Sequence, residues 1–121
     1  MINAKLNRLL VENFAQLKET YIDATSWDDG DDTGAHVVYG DVFNPYVHDC
    51  ITQNRKAEVK AVFDFIESIL ELDDEYAENV IAVTVLESIA YLFALQPNLV
   101  KYLGERSKAI LSEIPVDLSR N

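Results

Sequence analysis

The sequence predicts an all-α domain, arranged as an antiparallel bundle of about five helices. The main observation is an almost continuous apolar run over residues 80–95, in which thirteen of sixteen residues are apolar. Apolar residues recur with helical spacing on both sides of this run. Three of the four glycines fall together in residues 23–41, which leaves the predicted helices almost free of glycine. A chain of 121 residues predicts a single domain over residues 1–121.

The first predicted helix covers residues 2–22. Its apolar side chains recur along one face, which comprises Leu6, Leu9, Leu10, Leu17 and Tyr21. The opposite face is polar and contains Asn3, Glu12, Gln16 and Glu19. Because only one face is apolar, we expect this helix at the periphery of the bundle.

A long acidic loop is predicted over residues 23–41. This stretch contains six aspartates and Trp27, the only tryptophan. No helical spacing survives in it, and glycine and aspartate favour turns. Residues 35–39, with the sequence AHVVY, fit one short extended segment. An irregular stretch of this length inside a compact domain is uncommon and is often functional or disordered.

A helical core is predicted over residues 42–114, and its first helix is short. Asn44 followed by Pro45 predicts the start of this helix, because asparagine caps helices and proline at the first position gives up an N–H that would be unpaired. A longer amphipathic helix follows over residues 56–72. Phe65 lies off its apolar stripe, so we expect Phe65 to meet a second neighbour.

The run at residues 80–95 predicts a central helix that is covered on most sides. Its few polar positions, together with Tyr91, fall in one narrow arc that comprises Thr84, Glu87, Ser88 and Tyr91. The short link from the preceding helix predicts that the two are antiparallel neighbours. The apolar run is shorter than the about 20 residues that a membrane span needs.

The last predicted helix runs from Pro97 towards Ile114. Gly104 in its middle predicts a kink or a break, because glycine costs about 1 kcal/mol relative to alanine inside a helix. Pro115 ends this helix, and residues 115–121 are predicted to form a tail.

The net charge is −11, with 21 acidic against 10 basic residues. Nucleic acids and anionic membrane surfaces are therefore not expected as partners, because both attract clusters of lysine and arginine. A basic partner protein is compatible with this charge, although solubility alone also explains it. A single cysteine excludes an internal disulfide, and the N-terminus has no apolar signal region. We therefore expect a cytoplasmic protein.

The candidate contact surface is the acidic loop. It comprises Trp27, Asp28, Asp29, Asp31 and Asp32. The spacing does not match a calcium-binding EF-hand loop, because Gly30 comes too early and position twelve is Tyr39. A solvated acidic loop is therefore favoured over a cation site.

The soft metal ligands of the chain are His36, His48 and Cys50. His48 and Cys50 have no second pair to complete a tetrahedral zinc site, and no phosphate-binding glycine motif is present. We therefore assign no metal, no cofactor and no catalytic residue. A thiol on a short helix beside Ile51 is more typical of an inert buried cysteine than of a nucleophile.

Glu87 is the acid most in need of an explanation, because it lies on an otherwise apolar helix. If the polar arc is covered, the carboxylate needs a donor, since a buried unpaired charge is costly. We expect the segment from His36 to Asn44 to cover it, with His36, Tyr39 or backbone N–H groups as the donors.

Residues 36–104 resemble a family of small bacterial proteins of unknown function. The resemblance lies in HVVYGDVFNPYV, VFDFIESIL, DDEYAENVIAVTVLE and KYLG. The matching positions are His36, Gly40, Asp41, Phe43, Asn44, Pro45, Phe63, Phe65, Glu67 and Glu87. The resemblance implies an all-helical domain and an immunity-type binding role, since members look like acidic proteins encoded near bacterial toxin systems. It brings no catalytic residues.

Three functional hypotheses follow from the sequence. The leading one is a non-enzymatic interaction module that binds a basic partner protein through Trp27 and the neighbouring aspartates. The second is a small enzyme or metal-binding protein with a pocket beside Glu87 that uses His36, His48 or Cys50. The third is a homo-oligomeric structural protein whose exposed apolar surface pairs with itself.

Overall fold

The computed structural model describes residues 1–115, and this part of the chain is helical without any strand. The predicted all-α class is therefore confirmed. The α-helices are α1 Asn3–Asn13, α2 Lys18–Thr25, α3 Ala35–Val38, α4 Asn44–Thr52, α5 Lys56–Leu70, α6 Glu75–Asn79, α7 Glu87–Leu95 and α8 Glu105–Ser112. Shorter 3-10 turns cover Ala15–Leu17, Gly30–Asp32 and Pro97–Tyr102, and π-helical segments cover Tyr39–Phe43 and Val80–Leu86. The predicted tail lies, apart from Pro115, outside the described residues.

The helix predicted over residues 2–22 is in fact two helices. The backbone leaves helical geometry at Phe14, where φ is −130° and ψ is 75°. The Phe14 ring packs against Phe43 and Phe65, with ring centroids 5.4 Å and 5.2 Å apart. This aromatic cluster supplies the second neighbour expected for Phe65, and that expectation is confirmed. Helix α2 then continues to Thr25, three residues into the predicted loop.

The second half of the predicted loop is also helical. Helix α3, the first π-helical segment and α4 follow one another without a break, so residues 35–52 form one continuous helix. The extended segment expected at residues 35–39 and the helix start expected at Asn44 are therefore wrong. The Pro45 ring in an α-helix would clash with the carbonyl of Asp41, four residues earlier. The wider π-helical turn directly before Pro45 accommodates the proline.

The central helix, Glu75–Leu95, comprises α6, the second π-helical segment and α7. Five of the seven residues in its π-helical segment are β-branched, and such residues crowd the preceding turn of an α-helix. The helix begins at Asp74, whose Oδ2 accepts a 2.9 Å hydrogen bond from the Ala77 N–H. The other oxygen, Oδ1, pairs with the Met1 ammonium at 2.7 Å. These two contacts hold the pKa of Asp74 below its ordinary value.

The central helix is 21 residues long, and its most apolar window has a mean hydropathy of 1.5. By length and composition alone the helix is therefore long and apolar enough to cross a membrane, although the apolar run within it was expected to be too short. The core helix of a globular protein satisfies the same criterion, and 39% of this window is buried in the fold. The absence of a membrane partner stays a prediction.

One hydrophobic cluster joins the described helices. Helix α5 agrees closely with the helix predicted over residues 56–72, and its predicted inner residues are buried. Phe63 on α5 meets Phe93 on the central helix edge to face, with ring centroids 5.6 Å apart. The antiparallel bundle arrangement itself stays a prediction.

The last predicted helix breaks at Gly104, as expected from the glycine. The 3-10 turn Pro97–Tyr102 precedes the break, and α8 follows it. Gly104 at the N-cap has no side-chain acceptor, and Glu67 on α5 takes over this role. Its carboxylate accepts hydrogen bonds from the Arg106 N–H at 3.0 Å, the Ser107 N–H at 3.0 Å and the Ser107 hydroxyl at 2.8 Å. The start of α8 is thereby fixed to α5.

Candidate functional site

The sequence-predicted contact residues lie together between α2 and α3. The Trp27 side chain is 74% exposed, and Asp28, Asp29, Asp31 and Asp32 are all exposed. We call these five residues the Trp27 surface. Solvent-exposed tryptophan at this level is unusual, because the indole buries a large apolar area in most folds.

The loop that carries the Trp27 surface is held in place by α1. The buried Asn7 side chain donates hydrogen bonds to the Asp31 carbonyl at 3.0 Å and the Thr33 carbonyl at 2.8 Å. Asn3 Oδ1 accepts the Ala35 N–H at 2.9 Å. Hydrogen bonds from two successive turns of one helix thus fix both ends of residues 31–35. Asp31 and Asp32 therefore lie on an ordered segment.

Asp31 is the one member of the Trp27 surface with a side-chain partner inside the fold. Its Oδ1 accepts a 2.6 Å hydrogen bond from the buried Tyr21 hydroxyl. Burial, and then this bond, raise the pKa of Tyr21 well above its ordinary value, so the hydroxyl remains a donor. Asp28, Asp29 and Asp32 have no such hydrogen bond within the described residues and present their carboxylates to solvent.

Negative charge is concentrated around the Trp27 surface. Residues 19–32 contain six acidic residues and no lysine or arginine. Among residues 1–115, no group of three or more histidine, cysteine, aspartate or glutamate side chains is arranged to hold a metal ion. The exposed indole therefore lies beside a local concentration of negative charge.

A second group of polar residues joins helix 35–52 to the central helix where their π-helical segments meet. His36 Nδ1 lies 2.6 Å from Thr84 Oγ1, and the Asn44 side chain donates a 2.9 Å hydrogen bond to the Thr84 carbonyl. Gly40 lies between them, since a Cβ there would be 3.5 Å from Thr84 Cγ2. Further along, His48 Nε2 lies 2.7 Å from the Tyr91 hydroxyl. We call His36, Asn44, His48, Thr84 and Tyr91 the polar seam.

The polar seam corrects the interpretation of Glu87. The predicted contact between the arc and the His36–Asn44 segment exists, but it runs through Thr84. Tyr91 meets His48, which lies outside that segment. Glu87 and Ser88 face solvent, and Tyr39 donates its hydroxyl to the Leu6 carbonyl at 2.7 Å. A π-helical turn holds more residues than an α-helical turn, so an arc drawn with α-helical spacing is displaced across Val80–Leu86.

The pocket of the enzyme or metal hypothesis is not assembled. Within the described residues His36 and Glu87 form no hydrogen bond or ion pair, and each histidine lies within hydrogen-bonding distance of a hydroxyl of the central helix. Cys50 is fully buried, and burial raises the pKa of its thiol. A buried thiol with a raised pKa is a poor nucleophile and a poor metal ligand.

The sequence analysis did not identify the structural roles of three polar residues, Asn3, Asn7 and Glu67. Asn3 was expected on the polar face of the first helix and Glu67 was assigned no structural role, whereas both accept hydrogen bonds from other elements. Asn7 carried a usable signal, because it lies between Leu6 and Leu10 on the buried face. Glycine at the N-cap, as at Gly104, has no side chain to accept the free N–H groups of the helix. It therefore indicates that a side chain from another helix caps them.

A family model described as a domain of unknown function (DUF7674) matches residues 7–116. The chain belongs to this family. The expected all-helical family of unknown function is thereby confirmed, and the match includes the Trp27 surface and the polar seam. Comparisons with curated proteins and with solved structures found no match.

Proposed function

We propose that this member of the family is a non-enzymatic interaction module that binds a basic partner protein through the Trp27 surface. The observation that carries the proposal is the 74% exposure of Trp27, next to residues 31–35, which hydrogen bonds to α1 hold in place. An ordered loop loses little conformational entropy when a partner binds, and this favours affinity.

The chemistry of the Trp27 surface supports a basic partner. Tryptophan is enriched among the residues that dominate binding energy at protein interfaces. An arginine or lysine of a partner would also stack on the indole face in a cation–π contact. The surrounding carboxylates would attract a positively charged protein over long range and accelerate association.

The specific form that we propose is an immunity-type role in the cytoplasm, in which the partner is a basic toxin and binding neutralises it. The resemblance to acidic proteins encoded near toxin systems supports this form. The free, buried Cys50 is compatible with a reducing compartment.

Affinity capture with matched variants tests the proposal. The protein is immobilised as wild type, as Trp27→Ala and as a triple variant in which Asp28, Asp29 and Asp32 are changed to asparagine. Retained proteins are identified at about 0.05 M and about 0.5 M salt, because screening weakens exposed charge contacts. We expect a basic protein that wild type retains at low salt, that high salt releases and that both variants lose.

The control changes the same amount of charge elsewhere. Glu12, Asp49 and Glu58 are exposed acids outside the Trp27 surface, and their replacement by amides is expected to leave capture unchanged. Equal retention by the surface variants and this control, or retention that does not respond to salt, would contradict the proposal. A toxin gene beside the gene for this protein would support the immunity-type form.

A further inference from the structure

A second acidic surface, which shares no residue with the Trp27 surface, lies along the first half of the central helix. Two adjoining depressions occur here, with volumes of about 680 Å³ and about 360 Å³. They share Glu78 and Ala82, so they form one groove between the central helix and α8. We call this feature the acidic groove.

The lining of the acidic groove is apolar at the centre and acidic at the edges. Ala82 on the central helix and Ala109 and Ile110 on α8 supply small or half-buried apolar side chains. Glu75 and Glu78 stand on the central-helix side, and Glu113 stands on the α8 side. The groove therefore offers apolar contact flanked by two glutamates on the central-helix side and one on the α8 side.

The basic groups near the groove are already neutralised. Arg106, one turn before Ile110 on α8, pairs with Asp73 and donates to the Leu70 carbonyl. The Met1 ammonium pairs with Asp74 beside the start of the central helix. Among residues 1–115, no lysine or arginine lines either depression. The charged side chains that line the groove in this part of the chain are all acidic.

From this arrangement we propose that the acidic groove is a docking site for a basic amphipathic helix of another protein. The apolar face of such a helix would lie on Ala82, Ala109 and Ile110, and its lysines and arginines would face Glu78 and Glu113. This is the helix-in-groove mode, in which apolar anchors recur at every third or fourth residue. The proposal does not depend on the Trp27 surface, because the two sites share no residue.

The dimensions and the charge favour this occupant. Residues 75–82 span about 10 Å of helix axis, so the groove receives about two turns of a docked helix. An extended peptide would need a sheet edge, and residues 1–115 offer none. A second copy of this chain is disfavoured because each copy carries a net charge of −11.

A fluorescently labelled model peptide tests the docking site. The peptide is an amphipathic helix of about 18 residues made of leucine and lysine, with leucines at every third or fourth position. The control peptide has the same composition in a scrambled order. We expect the amphipathic peptide to raise fluorescence anisotropy on binding wild type and the scrambled peptide to bind about tenfold more weakly or not at all.

Variants locate the binding. The double variant Glu78→Gln with Glu113→Gln is expected to bind the peptide about tenfold more weakly than wild type. Ala109→Trp is expected to block the groove and abolish peptide binding. The matched controls are Glu12→Gln with Glu58→Gln for charge and Ala61→Trp for bulk on an exposed helix position. We expect both controls, and the triple asparagine variant of the Trp27 surface, to bind like wild type within about twofold.

Four results would overturn the docking site. The first is equal binding of the amphipathic and scrambled peptides, and the second is equal weakening by the groove and control variants. The third is a wild-type dimer in light scattering that Ala109→Trp dissociates, because the occupant would then be a second copy. The fourth is a loss of peptide binding in the Trp27-surface variant but not in the groove variants, because the peptide would then bind to the Trp27 surface.

Discussion

The side-chain amide of Asn7 donates a buried 2.8 Å hydrogen bond to the backbone carbonyl of Thr33. The same amide nitrogen reaches the Asp31 carbonyl at 3.0 Å. Twenty-six residues separate Asn7 from Thr33, so α1 directly sets the conformation of the acidic loop. The availability of the Trp27 surface therefore depends on a residue that makes no contact with the proposed partner.

Replacing Asn7 with alanine is expected to lower the free energy of unfolding by about 1–3 kcal/mol, because a buried carbonyl and a partly buried carbonyl lose their donor. Amide hydrogen exchange should accelerate in residues 31–35. The matched control is Asn13→Ala, since the Asn13 amide donates only to an exposed carbonyl of its own helix. Equal effects of the two substitutions in urea unfolding would contradict this role of Asn7.

Stability should fall in acid partly through Glu67. Burial alone raises the pKa of Glu67, but the hydrogen bonds from Ser107 and Arg106 outweigh it and lower the pKa below its ordinary value. A carboxylate with a lowered pKa in the fold stabilises the protein above its unfolded pKa of about 4.3. This contribution is lost as the pH falls through the pKa of the folded state.

The variant Glu67→Gln isolates this contribution. We expect it to be less stable than wild type near neutral pH by about 1.5–3 kcal/mol, the range for hydrogen bonds to a charged group. The difference should shrink as urea unfolding is repeated at lower pH. Glu71→Gln, an exposed change one turn later, should show no such trend. A difference that stays constant from neutral to acid pH would contradict the ionised cap.

We expect that the Glu67 cap requires a glycine at position 104. A Cβ at Gly104 would overlap the Glu67 carboxylate, so Gly104→Ala must displace the cap and should cost about 1–3 kcal/mol. In a Glu67→Ala background the overlap disappears. There the same change should be neutral or stabilising by up to about 1 kcal/mol. The double-mutant cycle measures this coupling, and additive effects would contradict the packing described.

The polar seam is expected to stabilise the contact between the two π-helical segments. Thr84→Val keeps the side-chain shape but removes the hydroxyl beside His36 Nδ1. We expect a loss of about 0.5–1.5 kcal/mol in urea unfolding, the usual net value of one hydrogen bond. Thr52→Val, at an exposed hydroxyl on α4, is the control. If His36 ring resonances do not move in Thr84→Val, the seam is not formed in solution.

The sequence was most informative where helical spacing and tertiary packing agree. Helix α5 was predicted almost to the residue, because its apolar stripe is regular and unbroken. The break at Gly104 was also predictable, since glycine is a poor helix former. These features depend on local preferences that the fold does not override.

The errors occur where long-range contacts decide the local structure. Phe14 leaves the helix because its ring joins Phe43 and Phe65, which lie far away in the chain. Pro45 lies inside a helix because a π-helical turn accommodates it, and π-helical turns have no reliable sequence signal. The same π-helical turns shift the polar arc of the central helix. Glu87, which was expected to be covered, is therefore exposed. Trp27 is exposed, and its role as a contact residue stays a prediction.

The most direct test of the proposed function uses the fluorescence of Trp27, the only tryptophan of the chain. The basic protein recovered by affinity capture is titrated into wild type, in a form in which its own tryptophans are replaced. If the Trp27 surface is the binding site, the emission shifts to shorter wavelength and acrylamide quenching decreases as the indole leaves water. The helical model peptide should leave the emission unchanged. A partner that binds while Trp27 stays as accessible to acrylamide as in the free protein would contradict the account.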